Sequence, residues 1–271
     1  MDKKYGVAIV GYGGMGGWHA DLLNSISEAE IKGVYDIQPE RMDVARSKGI
    51  HAYESLDAVL ADKEVDIVTI ATPNDVHKDI AIKAMAAGKH VVCEKPVALN
   101  SNELQEMIDA AGRYKVIFTV HQNRRWDEDY LVAKQIYEKN TLGKVFNIES
   151  RVHGSRGIPG DWRNTKEHGG GMVLDWGVHL IDQILMMLSE RKLISLYATL
   201  SFVTNEAVDD GFKILLNYDD GLTCHIEVGT SNFINLPRWY IQGENGTAII
   251  EDWNLNGKIV MVSDWEKRDA V

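Results

Sequence analysis

Three residues of this 271-residue chain have the types and settings for proton transfer: Lys95, Asp175 and His179. Lys95 closes the run Val91-Val92-Cys93-Glu94-Lys95-Pro96, a short apolar strand followed by proline. Proline holds the preceding residue extended and leaves a cis peptide open, so the amine would have a rigid mount. Partial desolvation would lower the pKa of such a lysine and let it exchange a proton with a hydroxyl. Asp175 and His179 lie four residues apart, after Gly169-Gly170-Gly171. On a helix that spacing puts both on one face, where a carboxylate can orient an imidazole and stabilise its charged form. The glycines remove bulk where a ligand approaches. No further ligand has the spacing of a metal site around this pair, and no metal is expected there.

A second constellation binds rather than reacts. Val7-Ala8-Ile9-Val10 leads into Gly11-Tyr12-Gly13-Gly14-Met15-Gly16, a G-x-G-x-x-G pattern that follows a strand and opens a helix. Such a loop offers backbone N–H groups and a helix N-terminus to a pyrophosphate. The next strand ends at Tyr35-Asp36, which sets an acid 20 residues after Gly16 to bond the adenosine ribose hydroxyls. Its carboxylate would repel the extra 2′-phosphate of NADP, so NAD is the expected cofactor and NADP the less favoured one. Arg41 weakens that discrimination, because its guanidinium could pair with a phosphate.

The elements that must position these groups alternate. Apolar runs at Tyr5 to Val10, Ile31 to Tyr35, Val65 to Ala71, His90 to Cys93 and Val116 to Val120 lack polar alternation, as strands buried on both faces do. Segments with helical periodicity lie between them, including Asp79 to Ala87 and Ser101 to Tyr114, with Ser101 read as a helix cap. This is the pattern of a doubly wound α/β domain, a Rossmann parallel sheet over residues 1–121. Lys95 then stands at the carboxyl edge of the sheet, where open α/β sheets bind ligands.

From residue 122 the pattern changes. A helix over Glu128 to Glu138, a strand over Lys144 to Val152, a glycine-rich loop and a helix over Met172 to Leu188 precede strands at Ile194 to Val203, Gly211 to Tyr218, Leu222 to Val228, Trp239 to Gly243 and Thr247 to Glu251. Residues 122–271 read as an α+β domain with a largely antiparallel, open-faced sheet: helices cover one face, and the other is free for a partner subunit.

With 45% hydrophobic and 25% charged residues the chain can bury a core. Its formal charge of −11 opposes nonspecific attraction to nucleic acid or anionic lipid, which favours a small-molecule partner. The N-terminus lacks the apolar stretch of a secretory signal, no run is long enough to span a bilayer, and Cys93 and Cys224 read as buried free thiols, so a cytoplasmic location is expected.

Taken together, the glycine motif, Ala71-Thr72-Pro73-Asn74 with His77, Glu94-Lys95-Pro96, Asn123-Arg124-Arg125 and the glycine run before Asp175 and His179 resemble the Gfo/Idh/MocA oxidoreductases. The resemblance implies hydride transfer between nicotinamide and a hydroxyl-bearing carbon of a sugar, inositol or related polyol, with His179, assisted by Lys95 and oriented by Asp175, taking the hydroxyl proton. It implies that Thr72, Pro73, Asn74 and His77 line the dinucleotide and that Glu94 sits near the nicotinamide ribose. Asn123 and Arg124 would face the substrate, with His153, Trp162 and Arg163 on the same wall. A homodimer or homotetramer is also implied. Alternatives within the resemblance are a glycosidase-like enzyme with an internal redox cycle and a non-catalytic dinucleotide sensor; intact Lys95, Asp175 and His179 argue against the sensor. Family members continue well past 271 residues into further helical segments, so the second domain is expected to be incomplete at its C-terminal end.

Overall fold

The computed structural model describes residues 4–264. The chain divides into two compact units, Met1–Gln122 and Asn123–Val271.

The first unit strings together β1 (Tyr5–Val10), α1 (Gly14–Leu23), β2 (Ala29–Tyr35), α2 (Pro39–Ser47), α3 (Leu56–Ala61), β3 (Ile67–Ile70), α4 (His77–Ala86), β4 (His90–Cys93), α5 (Ser101–Tyr114) and β5 (Phe118–Val120). All strand pairs are parallel, in the order β2-β1-β3-β4-β5. The chain leaves β1 toward one side and returns to build β3 on the other, so the crevice of a doubly wound sheet opens at the carboxyl end of β1. Both faces are covered. Ala8, Val68, Val91 and Cys93 pack with Met85 of α4 and Met107 of α5, while Ile9 and Val34 pack with Ala20 of α1 and Met42 of α2. Each large side chain buried in this way contributes about 1.5–3 kcal/mol.

Three local readings change. The cap of α5 is Asn100, whose side chain accepts the Glu103 N–H, and Ser101 is already in the first turn. Helices α2 and α3 are additions: α2 has a polar mean and α3 is a six-residue helix, capped by Ser55 accepting from Ala58 N.

The second unit contains α6 (Glu128–Glu138), β6 (Val145–His153), α7 (Val178–Met187), β7 (Leu193–Ser201), β8 (Gly211–Tyr218), β9 (Thr223–Gly229), β10 (Trp239–Gly243), β11 (Gly246–Ile250) and β12 (Gly257–Met261). Its seven-stranded sheet runs β12-β11-β10-β6-β9-β8-β7. Only the β6 and β9 pair in it is parallel. Strand residues alternate as the pleat demands: Phe212, Ile214 and Leu216 are buried, whereas Lys213 and Leu215 point to the other face and are exposed. The buried set packs against Tyr130, Ala133 and Ile136 of α6 and Leu180 and Ile184 of α7. Edge strand β12 is exposed throughout, so the period-2 alternation that reveals the other strands is absent from it.

The predicted helix over Met172 to Leu188 is also divided. Val173–Gly177 is a π-helix, and α7 begins at Val178. Asp209 organises this start: its carboxylate accepts the Val173 N–H at 2.8 Å and its carbonyl the Met172 N–H at 3.0 Å. Wide turns of this kind gather at functional sites.

Candidate active site

In the first unit the glycine loop is built for close backbone approach. Gly11 has φ +91, in the left-handed region, and a Cβ there would lie 2.6 Å from the Ala71 carbonyl. A Cβ on Gly16 would fall 2.0 Å from the Gly11 oxygen. Helix α1 starts at Gly14 with Gly13 as its cap and no side chain bonded to its first N–H groups, so its positive end is open to an anion. Asp36, 8% exposed, follows β2 beside this loop. Its Oδ2 accepts the Tyr12 N–H at 2.7 Å, its Oδ1 accepts the Gln38 N–H at 2.9 Å, and Arg41 Nη1 lies 3.3 Å from Oδ2. The Tyr12 ring is buried in the core with Ile9 and Met42, so its backbone, not its ring, belongs to the loop surface; Met15 is exposed. An open helix start beside a fixed carboxylate fits the diphosphate and ribose of a dinucleotide.

Thr72 and Pro73 lead from β3 into a single turn, Asn74–Val76, and Asn74 is buried. His77 is fully buried, with Nδ1 3.0 Å from the Pro96 carbonyl and Nε2 2.9 Å from the Thr72 carbonyl. Its ring ties the Thr72 loop to the Lys95-Pro96 segment from behind. Burial pushes its pKa down, against the two carbonyls that favour the charged ring. The Lys95–Pro96 peptide is cis. Lys95 is half-buried, and its N–H donates to Glu94 Oε2 at 3.2 Å.

Glu94, at the carboxyl end of β4, has partners that local sequence patterns did not indicate. His19 Nε2 on α1 lies 2.7 Å from its Oε1, and His121 Nδ1 just past β5 lies 2.8 Å from the same atom. Burial would raise this carboxyl, but the hydrogen bonds from His121 and His19 outweigh it and hold the pKa at about 2. The available signal was positional: His19 follows Gly16 by three residues, on the helix turn that packs toward the sheet.

In the second unit a cavity of about 500 Å³ is lined by Arg124, His153, Met172, Trp176, Val228 and Trp253, among others. Arg124 stacks over Trp176 at 4.1 Å and lies 5.4 Å from Trp253, while Asp127 receives its Nη1 at 2.9 Å. Asn123 opens the short turn that carries Arg124. Two indole faces beside a guanidinium suit the apolar faces and hydroxyls of a carbohydrate. The His153 ring is almost wholly buried; its Nδ1 accepts the Leu236 N–H at 3.4 Å, and burial lowers its pKa. Trp176 and Trp253 are absent from the sequence-based candidates, although Trp176 adjoins Asp175.

His179 is 3% exposed on α7, with the Trp176 ring edge-on at 6.1 Å. Asp175 lies in the π-helical turn, and Arg163 Nε approaches its Oδ1 at 3.2 Å. Arg163 also pairs with Asp161 at 2.7 Å and stacks over Trp162 at 4.5 Å. Arg163 therefore steadies Asp175.

Residues 5–122 match the family model described as the oxidoreductase family's NAD-binding Rossmann fold, and residues 130–249 match the Gfo/Idh/MocA C-terminal domain. The solved structure of an NAD-binding protein from Listeria innocua is 55% identical and has a TM-score of 0.94, covering 96% of this chain and 77% of that one. An uncharacterized oxidoreductase of Schizosaccharomyces pombe is 36% identical over 203 residues, 68% of this chain and 53% of that protein. The glucose-6-phosphate 3-dehydrogenase of Bacillus subtilis is 30% identical over 241 residues, 86% of this chain and 67% of that protein. The chain thus spans about half the length of the Schizosaccharomyces pombe oxidoreductase. With both halves matched in order, and with the glycine loop and Glu94-Lys95-Pro96 at the carboxyl ends of their strands, this chain belongs to the Gfo/Idh/MocA family of oxidoreductases.

Proposed function

We propose that the protein is an NAD-dependent dehydrogenase acting on a hydroxyl-bearing carbon of a sugar, inositol or related polyol. The observation that carries this reading is the open start of α1 beside the buried carboxylate of Asp36, a built site for a diphosphate and a ribose. The indole-lined cavity of the second unit supports a carbohydrate-like substrate. When bound, NAD supplies the hydride chemistry. Asp36 bonds the ribose hydroxyls and disfavours a 2′-phosphate, while Arg41, 3.3 Å away, offsets part of that charge and keeps the preference for NAD moderate. His179 takes the hydroxyl proton, Lys95 assists, and Asp175, steadied by Arg163, orients the imidazole. Glu94 lies near the nicotinamide ribose, and Thr72, Pro73 and Asn74 line the dinucleotide. Arg124, Asn123 and His153 hold the substrate.

The protein acts in the cytoplasm, as a homodimer or homotetramer. The cytoplasmic reading is supported by Cys93 and Cys224, both free and buried. The oligomer is supported by Tyr197 and Leu215, apolar register partners that are both exposed on one sheet face among the described residues. Among the described residues no helix is long and apolar enough to cross a membrane.

The test is NADH or NADPH formation by the purified protein with a panel of sugars, inositols and sugar acids. Turnover on one class, faster with NAD, is the expected result. Silence across the panel despite measurable NAD binding would shift the assignment to an internal-redox hydrolase or a sensor.

A further inference from the structure

We propose that His19, Glu94 and His121 form a binding site for one divalent transition-metal ion of the Zn²⁺ or Co²⁺ type. The three come from α1, the carboxyl end of β4 and the carboxyl end of β5, all within the first unit. One ligand atom from each lies within 4.8 Å of the other two. Both imidazole nitrogens converge on a single carboxylate oxygen, Oε1, at 2.7 and 2.8 Å, leaving Oε2 to the Lys95 N–H. Three donor atoms of ligating type held this close together are near enough to share one ion.

The donor chemistry selects the class of ion. Two imidazoles and one carboxylate suit Zn²⁺ or Co²⁺ and disfavour Mg²⁺ and Ca²⁺, which prefer oxygen ligands. Ligands on tetrahedral bonds of about 2.1 Å stand roughly 3.4 Å apart, so the side chains must part by a little over half an ångström to admit the ion. The site has room to open on one side, since the His121 side chain is 24% exposed and Trp18, its ring neighbour, is 40% exposed. On binding, each imidazole offers the lone pair of the nitrogen that now carries hydrogen; that proton moves to the other ring nitrogen, or to solvent. A water from solvent completes the tetrahedron, as at zinc sites with three protein ligands. Spacing in the sequence hides this cluster, because His19 and His121 stand 75 and 27 residues from Glu94.

The experiment uses the whole chain, stripped with a chelator and free of cofactor. Glu94 also belongs to the functional proposal, but metal binding is read without NAD or substrate, so the two readings succeed or fail separately. Co²⁺ is followed by the visible absorption of its four-coordinate ion, and Zn²⁺ by calorimetry. One equivalent of each should bind. His19→Gln and His121→Asn place an amide nitrogen where the bonded imidazole nitrogen stood, so each keeps its hydrogen bond to Glu94 while losing a metal ligand. Loss of a direct ligand should weaken binding by more than the roughly ten- to hundredfold that outer-shell changes cost. Circular dichroism melts check that both variants fold, and Glu94→Gln, which keeps an acceptor but removes the charge, should show the same loss. Absence of four-coordinate Co²⁺ absorption in the wild-type protein, or unchanged affinity in the His19→Gln/His121→Asn double variant, would overturn the site.

Discussion

His179 and Lys95 are assigned to proton transfer, so their removal should act on turnover far more than on cofactor binding. On a verified substrate, Lys95→Ala and His179→Ala should each lower kcat by about a hundredfold to ten-thousandfold, with a much smaller change in NAD affinity by fluorescence titration. Near-normal turnover in either variant would remove that residue from the mechanism. His77 makes a different claim. Its folded pKa lies below the ordinary 6.5 because burial disfavours the charged ring. The unfolded chain therefore takes up a proton that the folded ring refuses. This stability is present in full above about pH 6.5 and is lost as the pH falls through that value toward the folded pKa. His77→Gln keeps a donor for one carbonyl and cannot titrate there. Its urea midpoint should accordingly vary less between about pH 7 and 5 than that of the wild type, and an equal dependence would show that His77 does not drive it.

At the scale of elements, the β1–α1 turn and the α6–β10 contact carry the sharpest consequences. Gly16→Ala puts a Cβ against the backbone oxygen of Gly11, which cannot rotate away as a side chain could. The helix must shift from the strand, at a cost of about 1–3 kcal/mol, and NAD affinity should fall as the loop deforms. Thermal melts with and without NAD measure both parts. Wild-type melting and affinity together would refute the packing argument. Behind the second sheet, Asp129 of α6 accepts the Trp239 indole N–H at 2.8 Å and faces Arg238 Nε at 3.0 Å. Arg238 is 3% exposed, and burial lowers its pKa to about 10. Asp129→Ala would leave a buried guanidinium without its counter-charge, so chemical denaturation should report a loss of about 3–5 kcal/mol. A loss below about 1 kcal/mol, the usual worth of an exposed pair, would mean that solvent reaches the arginine.

At the scale of the molecule, the sheet face away from α6 and α7 presents Tyr197 of β7, 67% exposed, beside its register partner Leu215 of β8, 38% exposed. If this face joins subunits, Tyr197→Asp should shift the sedimentation coefficient toward that of the monomer without changing the circular dichroism spectrum. An unchanged coefficient would place the interface elsewhere. The alternation of apolar runs and amphipathic helices, the glycine loop with Asp36 and the strand-end position of Lys95 were all legible in the sequence, because each depends on neighbours within a few turns of chain. That the second sheet is largely antiparallel, with one face covered, was equally legible from period-2 alternation and turn residues. The π-helical turn at Asp175 was not, since Asp209 holds its first N–H groups from another segment. Nor was the engagement of His77 by two carbonyls, the placement of Arg124 over Trp176 and near Trp253, or the convergence of His19 and His121 on Glu94. Periodicity and turn chemistry are local properties of the backbone, so the sequence by itself determined the strongly patterned elements and their buried faces, but not α2, α3 or β12, whose patterns are weak. Which distant side chains share a cavity, and which carboxylate two histidines reach, depends on how the packed layers bring the ends of separate strands together, and only the tertiary structure decided that.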